Sequence, residues 1–385
     1  MAAGTAVEAT GVERDAMARA LDLARRGPAH GPNPRVGCVL LAPAGATAAP
    51  GPTAAPGAAA AADAATAVQS SGDPGPVPGA RLLGEGWHRG AGTPHAEVAA
   101  LADARSRGAD VRGATAVVTL EPCDHTGRTG PCSVALLEAG VARVVVAVPD
   151  PNPAAAGGAG RLRAAGVEVV VGVEEAAGRE LLGPWLHAVS RGRPHVTLKL
   201  AATLDGRVAA ADGSSRWITS PESRAHAHAL RAEVDALVVG TGTALADDPA
   251  LTARAADGGL AAHQPLRVVV GTRDLPAAGR LAGPGGEVLH LRTRDPQEVL
   301  AALHAREVRR VLVEGGPTLA AAFLRAGVVD QVHAYVAPVL LGAGRAAVGD
   351  LGIGSIGDAL RLRTREVRPL GPDVLVVADV EEEER

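Results

Sequence analysis

The chain has 385 residues, enough for two domains of ordinary size, and its 38 basic against 42 acidic side chains give a formal net charge of −4. It has neither a basic stripe nor enough aromatic residues for a nucleic-acid binder. Because no run of about eighteen apolar residues and no signal-like leader is present, we expect a cytoplasmic protein that binds a small molecule, with no nucleic acid and no membrane as partner.

Predicted helices and strands alternate in the first part of the chain. In order they are a helix over Val12–Arg26, a strand over Val36–Leu41, a helix over Pro94–Arg107, a strand over Thr115–Leu120, a helix over Cys132–Ala139 and a strand over Arg143–Val148. Strands separated by helices predict a mostly parallel sheet that is covered on both faces.

Between Ala42 and Ala80 the composition shifts to alanine, glycine, proline, serine and threonine, with Asp63 and Asp73 as the only charges. Such a segment cannot bury enough apolar surface to offset the entropy of ordering it. Residues 42–80 are therefore predicted to be a disordered insertion that joins two neighbouring strands. The alternative is a short helix over Ala58–Ala67, because alanine has the highest helix propensity.

A second series of strands and helices begins near His195. Its predicted strands are His195–Leu200, Ala236–Gly240, Arg267–Val270, Arg310–Val313 and Gln331–Val336, and its predicted helices are Pro221–Ala232, Pro296–Arg306 and Pro317–Ala326. Glycine–proline combinations break the pattern within Gly183–Pro194, so the sequence predicts two domains, over residues 11–185 and 193–380.

Three candidate metal ligands, His95, Cys123 and Cys132, occur in the first domain. Thr93 is the predicted N-cap of a helix, which places His95 in its first turn. One imidazole and two thiolates leave a fourth position open for water, as in catalytic zinc sites. Glu97 is the predicted catalytic group that carries the proton of that water to the substrate.

A histidine and glutamate two residues apart, then Pro-Cys and a second cysteine, form the signature of zinc nucleobase deaminases. In most of them the second cysteine follows after two residues, whereas eight residues separate Cys123 from Cys132. The structural alternative makes His95 and Glu97 helix-surface residues and the cysteines small buried hydrophobes. A closed structural zinc site would need a fourth ligand, and the remaining cysteine, Cys38, lies before the insertion.

The segment Glu121–Cys132, EPCDHTGRTGPC, resembles the zinc loop of the bifunctional riboflavin-pathway deaminase–reductases, and PNPRVG at Pro32–Gly37 and DPNP at Asp150–Pro153 also match that family. The resemblance implies a cytidine-deaminase-like α/β/α domain that holds Zn²⁺. It also implies substrate contacts at Asn33, His125, Arg128, Asp150 and Asn152. The residues alone support two alternatives equally. The Asn-Pro and Asp-Pro-Asn-Pro motifs either form turns or contact a ligand at the ends of strands.

Four motifs of the second domain resemble the reductase half of the same family: KLAATLDGR from Lys199, WITSP from Trp217, ADDPALT from Ala246 and EGGPTL from Glu314. The resemblance implies a dihydrofolate-reductase-like α/β domain that uses NADPH. The implied cofactor-binding residues are Leu200, Trp217, Thr243, Asp247, Thr272, Gly316, Pro317, Thr318, Leu319, Ala320, Ala321 and Ala322. The implied substrate-binding residues are Ser215, Arg231, Leu251, Arg254 and Glu314.

The residues themselves support a phosphate-binding site less specifically. The glycine turn before Pro317 could hold phosphates on backbone amides, although it is neither a dinucleotide fingerprint nor a P-loop. Arg231 and Arg254 suit a phosphate because a guanidinium makes bidentate contacts. Arg273, beside Thr272, has two alternatives of equal weight: it contacts the 2′-phosphate of the cofactor, or it is a solvated charge on a loop.

Lys199 is the only lysine among the 38 basic side chains. Because arginine serves everywhere else, a lone ammonium indicates a site where a guanidinium does not, and lysine shifts its pKa readily on burial. Lys199 and Asp205 are therefore the predicted catalytic residues of reduction. The alternative is one surviving lysine whose stem packs on the sheet.

The predicted function is hydrolytic deamination of a 2,5-diamino-6-ribosylamino-pyrimidinone 5′-phosphate, followed by NADPH-dependent reduction of its ribosyl group to ribityl. Both reactions are implied by the resemblance, whereas the zinc chemistry follows from the residues. The rival enzyme is a zinc deaminase of another nucleotide joined to an unrelated reductase. Whether the chain forms a homo-oligomer stays open.

Overall fold

The computed structural model describes residues 8–43, 77–126 and 130–381. The chain folds into two compact units, which we call unit 1 (Met1–Pro28 and Pro34–Gly183) and unit 2 (Ala29–Asn33 and Pro184–Arg385). Within the described ranges, no helix combines the length and the apolar character that crossing a membrane requires.

Unit 1 is built around a five-stranded sheet. Its elements are α1 (Gly11–Arg25), β1 (Gly37–Leu41), β2 (Leu82–Trp87), α2 (Ala96–Ser106), β3 (Thr115–Leu120), α3 (Cys132–Glu138), β4 (Arg143–Val148), α4 (Gly158–Ala164) and β5 (Glu168–Val171). The strand order is β2-β1-β3-β4-β5. The predicted strands and helices of this part are confirmed within a few residues, while β2, α4 and β5 had no predicted counterpart.

One strand, β1, departs from the predicted mostly parallel sheet of unit 1. β1 runs antiparallel to both of its neighbours, β2 and β3, whereas β2, β3, β4 and β5 all run in the same direction. Parallel neighbours require a crossover connection, usually a helix, whereas antiparallel neighbours do not.

The segment after β1 does join two neighbouring strands, as predicted. Its described ends belong to the fold, because Val77 is 5% exposed and the Ala42 amide donates to the Arg81 carbonyl at 2.9 Å. The predicted disorder and the alternative helix over Ala58–Ala67 fall on residues 44–76, outside the described residues.

Helix α5 (Glu175–Arg191) passes through Gly183 and Pro184, where the sequence predicted a break. A proline inside a helix removes one backbone hydrogen bond. Leu182 and Ala188, on either side of it, are 1% and 0% exposed. Their burial compensates for the lost bond, since tertiary packing supplies most of the stability of a helix.

Unit 2 contains an eight-stranded sheet in the order β10-β9-β8-β11-β6-β12-β15-β14. Its elements are β6 (His195–Thr203), β7 (Arg207–Ala209), α6 (Pro221–Glu233), β8 (Ala236–Gly240), α7 (Thr241–Asp247), β9 (Leu266–Val270), β10 (Val288–Leu291), α8 (Pro296–His304), β11 (Arg310–Val313), α9 (Pro317–Arg325), β12 (Gln331–Ala337), β13 (Arg345–Ala346), β14 (Leu362–Leu370) and β15 (Asp373–Val380). The five predicted strands and three predicted helices are confirmed.

The six strands from β10 to β12 are parallel, and β15 and β14 follow antiparallel. Aliphatic side chains of β6, β8, β9 and β11 pack with those of α8 and α9 around Phe323, which is fully buried. The strands β9, β8, β11 and β6 are consecutive and end at the same side of the sheet, which we call the carboxyl edge. Open parallel sheets bind their ligands at such an edge.

Candidate active sites

The three predicted zinc ligands meet in unit 1. The Nδ1 atom of His95 lies 3.5 Å from the Sγ atom of Cys123 and 3.3 Å from that of Cys132, and all three donor atoms lie within 4.8 Å of one another. Bond lengths of about 2.0–2.1 Å to nitrogen and about 2.3 Å to sulfur give tetrahedral N···S separations of roughly 3.5 Å. One nitrogen and two sulfur donors at this spacing fit a zinc ion.

The three ligands lie at the ends of secondary-structure elements. Cys123 follows the end of β3, Cys132 is the first residue of α3, and its amide donates to the Cys123 sulfur at 3.5 Å. Thr93 is not the N-cap that was predicted, because His95 itself occupies that position in an extended conformation and α2 begins at Ala96. The Thr93 hydroxyl instead donates to the Gly90 carbonyl at 2.8 Å.

Glu97 lies in the first turn of α2 and is 3% exposed. Burial raises the pKa of its carboxyl to about 7, and the charge of Cys123 acts in the same direction. A carboxyl group that both takes and releases a proton near neutral pH suits general acid–base catalysis. Cys38, on β1, is fully buried and lies outside the ligand cluster, so it is a small core residue.

The residues predicted to contact the deaminase substrate separate into three groups. Asp150 is buried just after β4, where burial raises the pKa of its carboxyl to about 6, and it accepts a hydrogen bond from the Asn152 amide at 2.8 Å. His125 is exposed on the zinc loop, whereas Arg128 lies outside the described residues. Asn33 belongs to the short segment of unit 2, so its contact with the deaminase substrate stays a prediction.

Sequence reasoning gave no role to Glu121, which braces the zinc loop. Its carboxylate accepts hydrogen bonds from the backbone amides of Asp150, Gly157 and Ala159 at 3.2, 3.2 and 2.9 Å. The loop after β4 is thereby tied to the residue two positions before Cys123. The sequence did contain a signal for this role: Glu121 is an acidic residue between a buried strand and Pro122-Cys123. A carboxylate at such a position needs hydrogen-bond donors, and backbone amides can supply them.

Gly158 lets α4 approach this loop. A Cβ atom built at Gly158 would lie against the Pro122 carbonyl oxygen, well inside van der Waals contact. We expect Gly158→Ala to displace the backbone beside Cys123, lower zinc affinity and reduce the free energy of unfolding by about 1–3 kcal/mol. Thermal unfolding and zinc content measure both effects.

Gly160→Ala is the matched control, because Gly160 lies in the same helix and a Cβ there has nothing within 4 Å. That substitution should leave the protein unchanged or slightly more stable, since alanine favours a helix over glycine. Wild-type stability and zinc content in Gly158→Ala would show that the close approach does not hold the loop.

In unit 2, a half-buried charge cluster forms at the carboxyl edge. Val313 of β11 is in register with Leu198 of β6, so Glu314 and Lys199 are the next residues on adjacent strands. Arg231 from α6 donates to both carboxylate oxygens of Glu314, each at 2.7 Å. The charge of Lys199 also acts on this carboxylate, so two basic side chains accompany one acidic one, which suits an anionic substrate.

These contacts set the protonation states of the cluster. Burial by itself would raise the pKa of the Glu314 carboxyl, but the charge and hydrogen bonds of Arg231 and the charge of Lys199 lower it to about 2. Burial lowers the pKa of the Lys199 ammonium, whose Nζ atom lies 5.6 Å from the centre of the Tyr335 ring.

The other predicted substrate residues differ in exposure, and only the segment of Leu251 has a described contact with this cluster. Leu251 is 3% exposed and has a left-handed backbone conformation with φ of 53°, while the next carbonyl, that of Thr252, accepts a hydrogen bond from Arg231 at 3.0 Å. Such backbone strain concentrates at functional sites. Arg254 is exposed and donates to the Gly258 carbonyl at 2.8 Å, and Ser215 is half-buried.

Asp205 lies on the turn after β6 rather than in the charge cluster. Its carboxylate accepts hydrogen bonds from the Thr203 hydroxyl at 2.5 Å and from the Gly342 amide at 2.6 Å. These contacts hold a loop to the end of β6, and the catalytic role of Asp205 stays a prediction.

Four of the predicted cofactor residues lie on or just after four strands that are consecutive in the sheet. Thr272 comes after β9, Thr243 after β8 and Gly316 after β11, and Leu200 lies on β6. An extended dinucleotide laid along the carboxyl edge would pass these positions in order. The carboxyl edge carries no side chain at Gly316, and a Cβ atom built there would come within 3.2 Å of the Thr243 hydroxyl. This cradle fits NADPH.

The remaining cofactor predictions differ in accessibility. Trp217 is 70% exposed, and the Asp247 carbonyl accepts a hydrogen bond at 3.0 Å from Arg216, the residue before that tryptophan. Pro317, Thr318 and Leu319 form the exposed or half-buried start of α9, with Ala322 also half-buried. Ala320 and Ala321 are 0% and 2% exposed, so their side chains pack inside unit 2.

Two family models match the chain. Residues 11–148 match the cytidine and deoxycytidylate deaminase zinc-binding region, and residues 194–376 match the RibD C-terminal domain. The chain is 54% identical over 302 residues to the riboflavin biosynthesis protein RibD of Mycobacterium tuberculosis, covering 78% of this chain and 87% of that protein. It is 38% identical to RibD of Escherichia coli, covering 93% and 96% of the two chains.

Solved structures agree with these matches. A diaminohydroxyphosphoribosylaminopyrimidine deaminase/5-amino-6-(5-phosphoribosylamino)uracil reductase from Thermotoga maritima has a TM-score of 0.78 at 30% identity, covering 96% of this chain and 99% of that one. RibD of Acinetobacter baumannii has a TM-score of 0.78 at 34% identity, covering 97% and 100%. The predicted fold class, a cytidine-deaminase-like domain followed by a reductase domain, is confirmed.

Proposed function

The chain belongs to the RibD family of riboflavin biosynthesis proteins, and on this premise we propose how its two units divide the chemistry. It is a bifunctional enzyme, a zinc-dependent deaminase and an NADPH-dependent reductase. We assign deamination to residues 11–185 and reduction to residues 193–380. The observation that carries the assignment is the separation of the zinc-ligand cluster in unit 1 from the Lys199–Glu314–Arg231 cluster in unit 2.

For deamination, we propose a 2,5-diamino-6-ribosylamino-4(3H)-pyrimidinone 5′-phosphate as substrate and loss of its 2-amino group as ammonia. His95, Cys123 and Cys132 would hold the zinc, which when bound supplies a Lewis acid that makes water nucleophilic near neutral pH. Glu97 would accept one proton of the attacking water and deliver it to the ring nitrogen, and would then carry the proton of the added hydroxyl to the leaving amine. Asp150 and its neighbours would orient the pyrimidine, a role supported by the position of Asp150 after β4 and its burial.

For reduction, we propose that C1′ of the ribosyl group accepts a hydride, which NADPH supplies when bound. Arg231 and Arg254 would bind the anionic substrate, Ser215 and Leu251 would line its site, and Glu314 would fix Arg231, a role supported by the two hydrogen bonds of 2.7 Å between them. Lys199 would stabilise the charge that develops as the sugar ring opens. The lowered pKa of its ammonium and its place beside Glu314 support this role.

The expected surroundings of the enzyme follow from the same premise. We propose that the chain works in the cytoplasm on a small pyrimidine nucleotide and binds no nucleic acid. The formal net charge of −4 supports the second point, because nucleic-acid binders carry a basic surface.

Incubation of the purified chain with the diaminopyrimidine nucleotide tests the proposal. Mass spectrometry should find the deaminated ribosyl product without NADPH and the deaminated ribityl product with it. A panel of other pyrimidine nucleotides serves as control. Ammonia release from that panel but not from the diaminopyrimidine would support the rival deaminase of another nucleotide.

A further inference from the structure

Arg273 is an arginine without an acidic partner at the carboxyl edge, in the turn after β9. It is exposed, and none of the ion pairs among the described residues includes it. The nearest acid along the chain, Asp274, is hydrogen-bonded instead by Arg292, which also donates to the Thr272 carbonyl at 3.3 Å. Arg292 therefore neutralises the carboxylate that could otherwise engage Arg273.

The turn that carries Arg273 is held from two sides. The Gly271 carbonyl accepts a hydrogen bond from His290 at 2.8 Å, and the Gly271 amide donates to Leu291 at 3.0 Å. Gly271 has φ of 135°, and a Cβ there would lie 2.5 Å from the Thr241 hydroxyl oxygen. The backbone before Arg273 is therefore fixed, which lowers the entropy lost when the arginine binds a ligand.

The guanidinium extends toward the proposed cofactor site. Its Nη2 atom lies 3.2 Å from the position that a Cβ of Gly242 would take, and the next residue, Thr243, lies as close to Gly316. Arg273, Gly242–Thr243 and Gly316 are thus successive neighbours along the carboxyl edge. β9 and β11 are two strands apart, roughly 10 Å, a distance that a ribose and an arginine side chain span together.

The order of the strands gives the cofactor a direction. Lys199 and Leu200 lie on β6, where hydride transfer is proposed, so the nicotinamide belongs there and the adenosine end belongs at β9. An adenosine 2′-phosphate is what distinguishes NADPH from NADH. A guanidinium binds phosphate through two parallel hydrogen bonds, and Arg273 has no ion pair with a described residue that would have to break first.

We propose that Arg273 binds the 2′-phosphate of NADPH and thereby makes the reductase prefer NADPH to NADH. This inference rests on the proposed function only in taking the carboxyl edge as the dinucleotide site. It assigns a specificity-determining role to a residue outside the set that the family resemblance implied.

Calorimetric binding of NADP⁺ and NAD⁺ to the full chain and to Arg273→Gln tests the inference. We expect the dissociation constant for NADP⁺ to rise roughly 10- to 100-fold, the scale of lost hydrogen bonds to a charged group, and that for NAD⁺ to stay unchanged. Arg273→Lys keeps the charge without the fork, so its NADP⁺ affinity should fall between the other two. Arg294→Gln, an exposed arginine after β10, is the matched control and should bind both nucleotides as the wild type does.

The outcomes separate the inference from the proposed function. A wild-type preference for NADP⁺ in Arg273→Gln, with unchanged thermal stability, would overturn the inference and leave the reductase assignment standing. Equal weakening of NADP⁺ and NAD⁺ would also overturn it, because the arginine would then act on a shared part of the cofactor or on the fold. No binding of either nucleotide to the wild type would overturn both.

Discussion

Deamination by Glu97→Gln is expected to be at least about 100-fold slower than by the wild type, with zinc content unchanged. The amide keeps the size of the side chain and its buried place at the start of α2, so the ligand cluster should stay assembled. It cannot take a proton from the attacking water. Ammonia release at saturating substrate, with metal analysis of the same sample, measures both quantities.

Glu138→Gln supplies the matched control, because Glu138 is an exposed residue at the end of α3 in the same unit. It should deaminate at the wild-type rate. Undiminished deamination by Glu97→Gln would remove Glu97 from the mechanism. A loss of zinc from that variant would instead make Glu97 a metal ligand.

The zinc cluster could be predicted from sequence because its residue types and their order are specific. The conformation that aims His95 could not, since Pro94 is compatible both with a first helical turn and with the extended approach that the structure has. Glu121 was missed for a different reason: its partners are backbone amides some thirty positions away, which no local pattern encodes.

The fold could be predicted where hydrophobic runs are long and buried on both faces. The central strands of unit 2 satisfy that condition, and each was found within a few residues. β14 does not, because its sequence LRTREVRPL is largely exposed and charged at the edge of the sheet. The antiparallel direction of β1 is a property of how the strands pair, which composition does not fix.

The charge cluster at the carboxyl edge of unit 2 depends on residues that the sequence identifies and on tertiary contacts that it does not. The sequence predicts Lys199, Arg231 and Glu314 only as separate residues in three segments of the chain. Only the register of β11 on β6 makes Glu314 the neighbour of Lys199, and only the position of α6 brings Arg231 onto the same carboxylate. The charge cluster is therefore a product of strand order, which follows from tertiary packing.

The second large effect is expected from substitution of Lys199, the only lysine of the chain. Lys199→Arg should reduce the substrate at least about 100-fold more slowly while deamination and zinc content stay at wild-type values. A guanidinium is larger than the ammonium, and its pKa cannot fall on burial as that of Lys199 does. It would also place a second fork against the carboxylate that Arg231 already occupies with two hydrogen bonds of 2.7 Å.

Lys199→Met separates charge from size, because it keeps an unbranched stem and removes the ammonium. If the ammonium stabilises developing charge, both variants should lose reduction, and both should retain NADP⁺ binding. Arg325→Lys, at the exposed end of α9, exchanges the same two residue types away from the site and should have no effect. Reduction by Lys199→Arg near the wild-type rate would mean that any cation serves at this position, and the single lysine would then be an accident of composition.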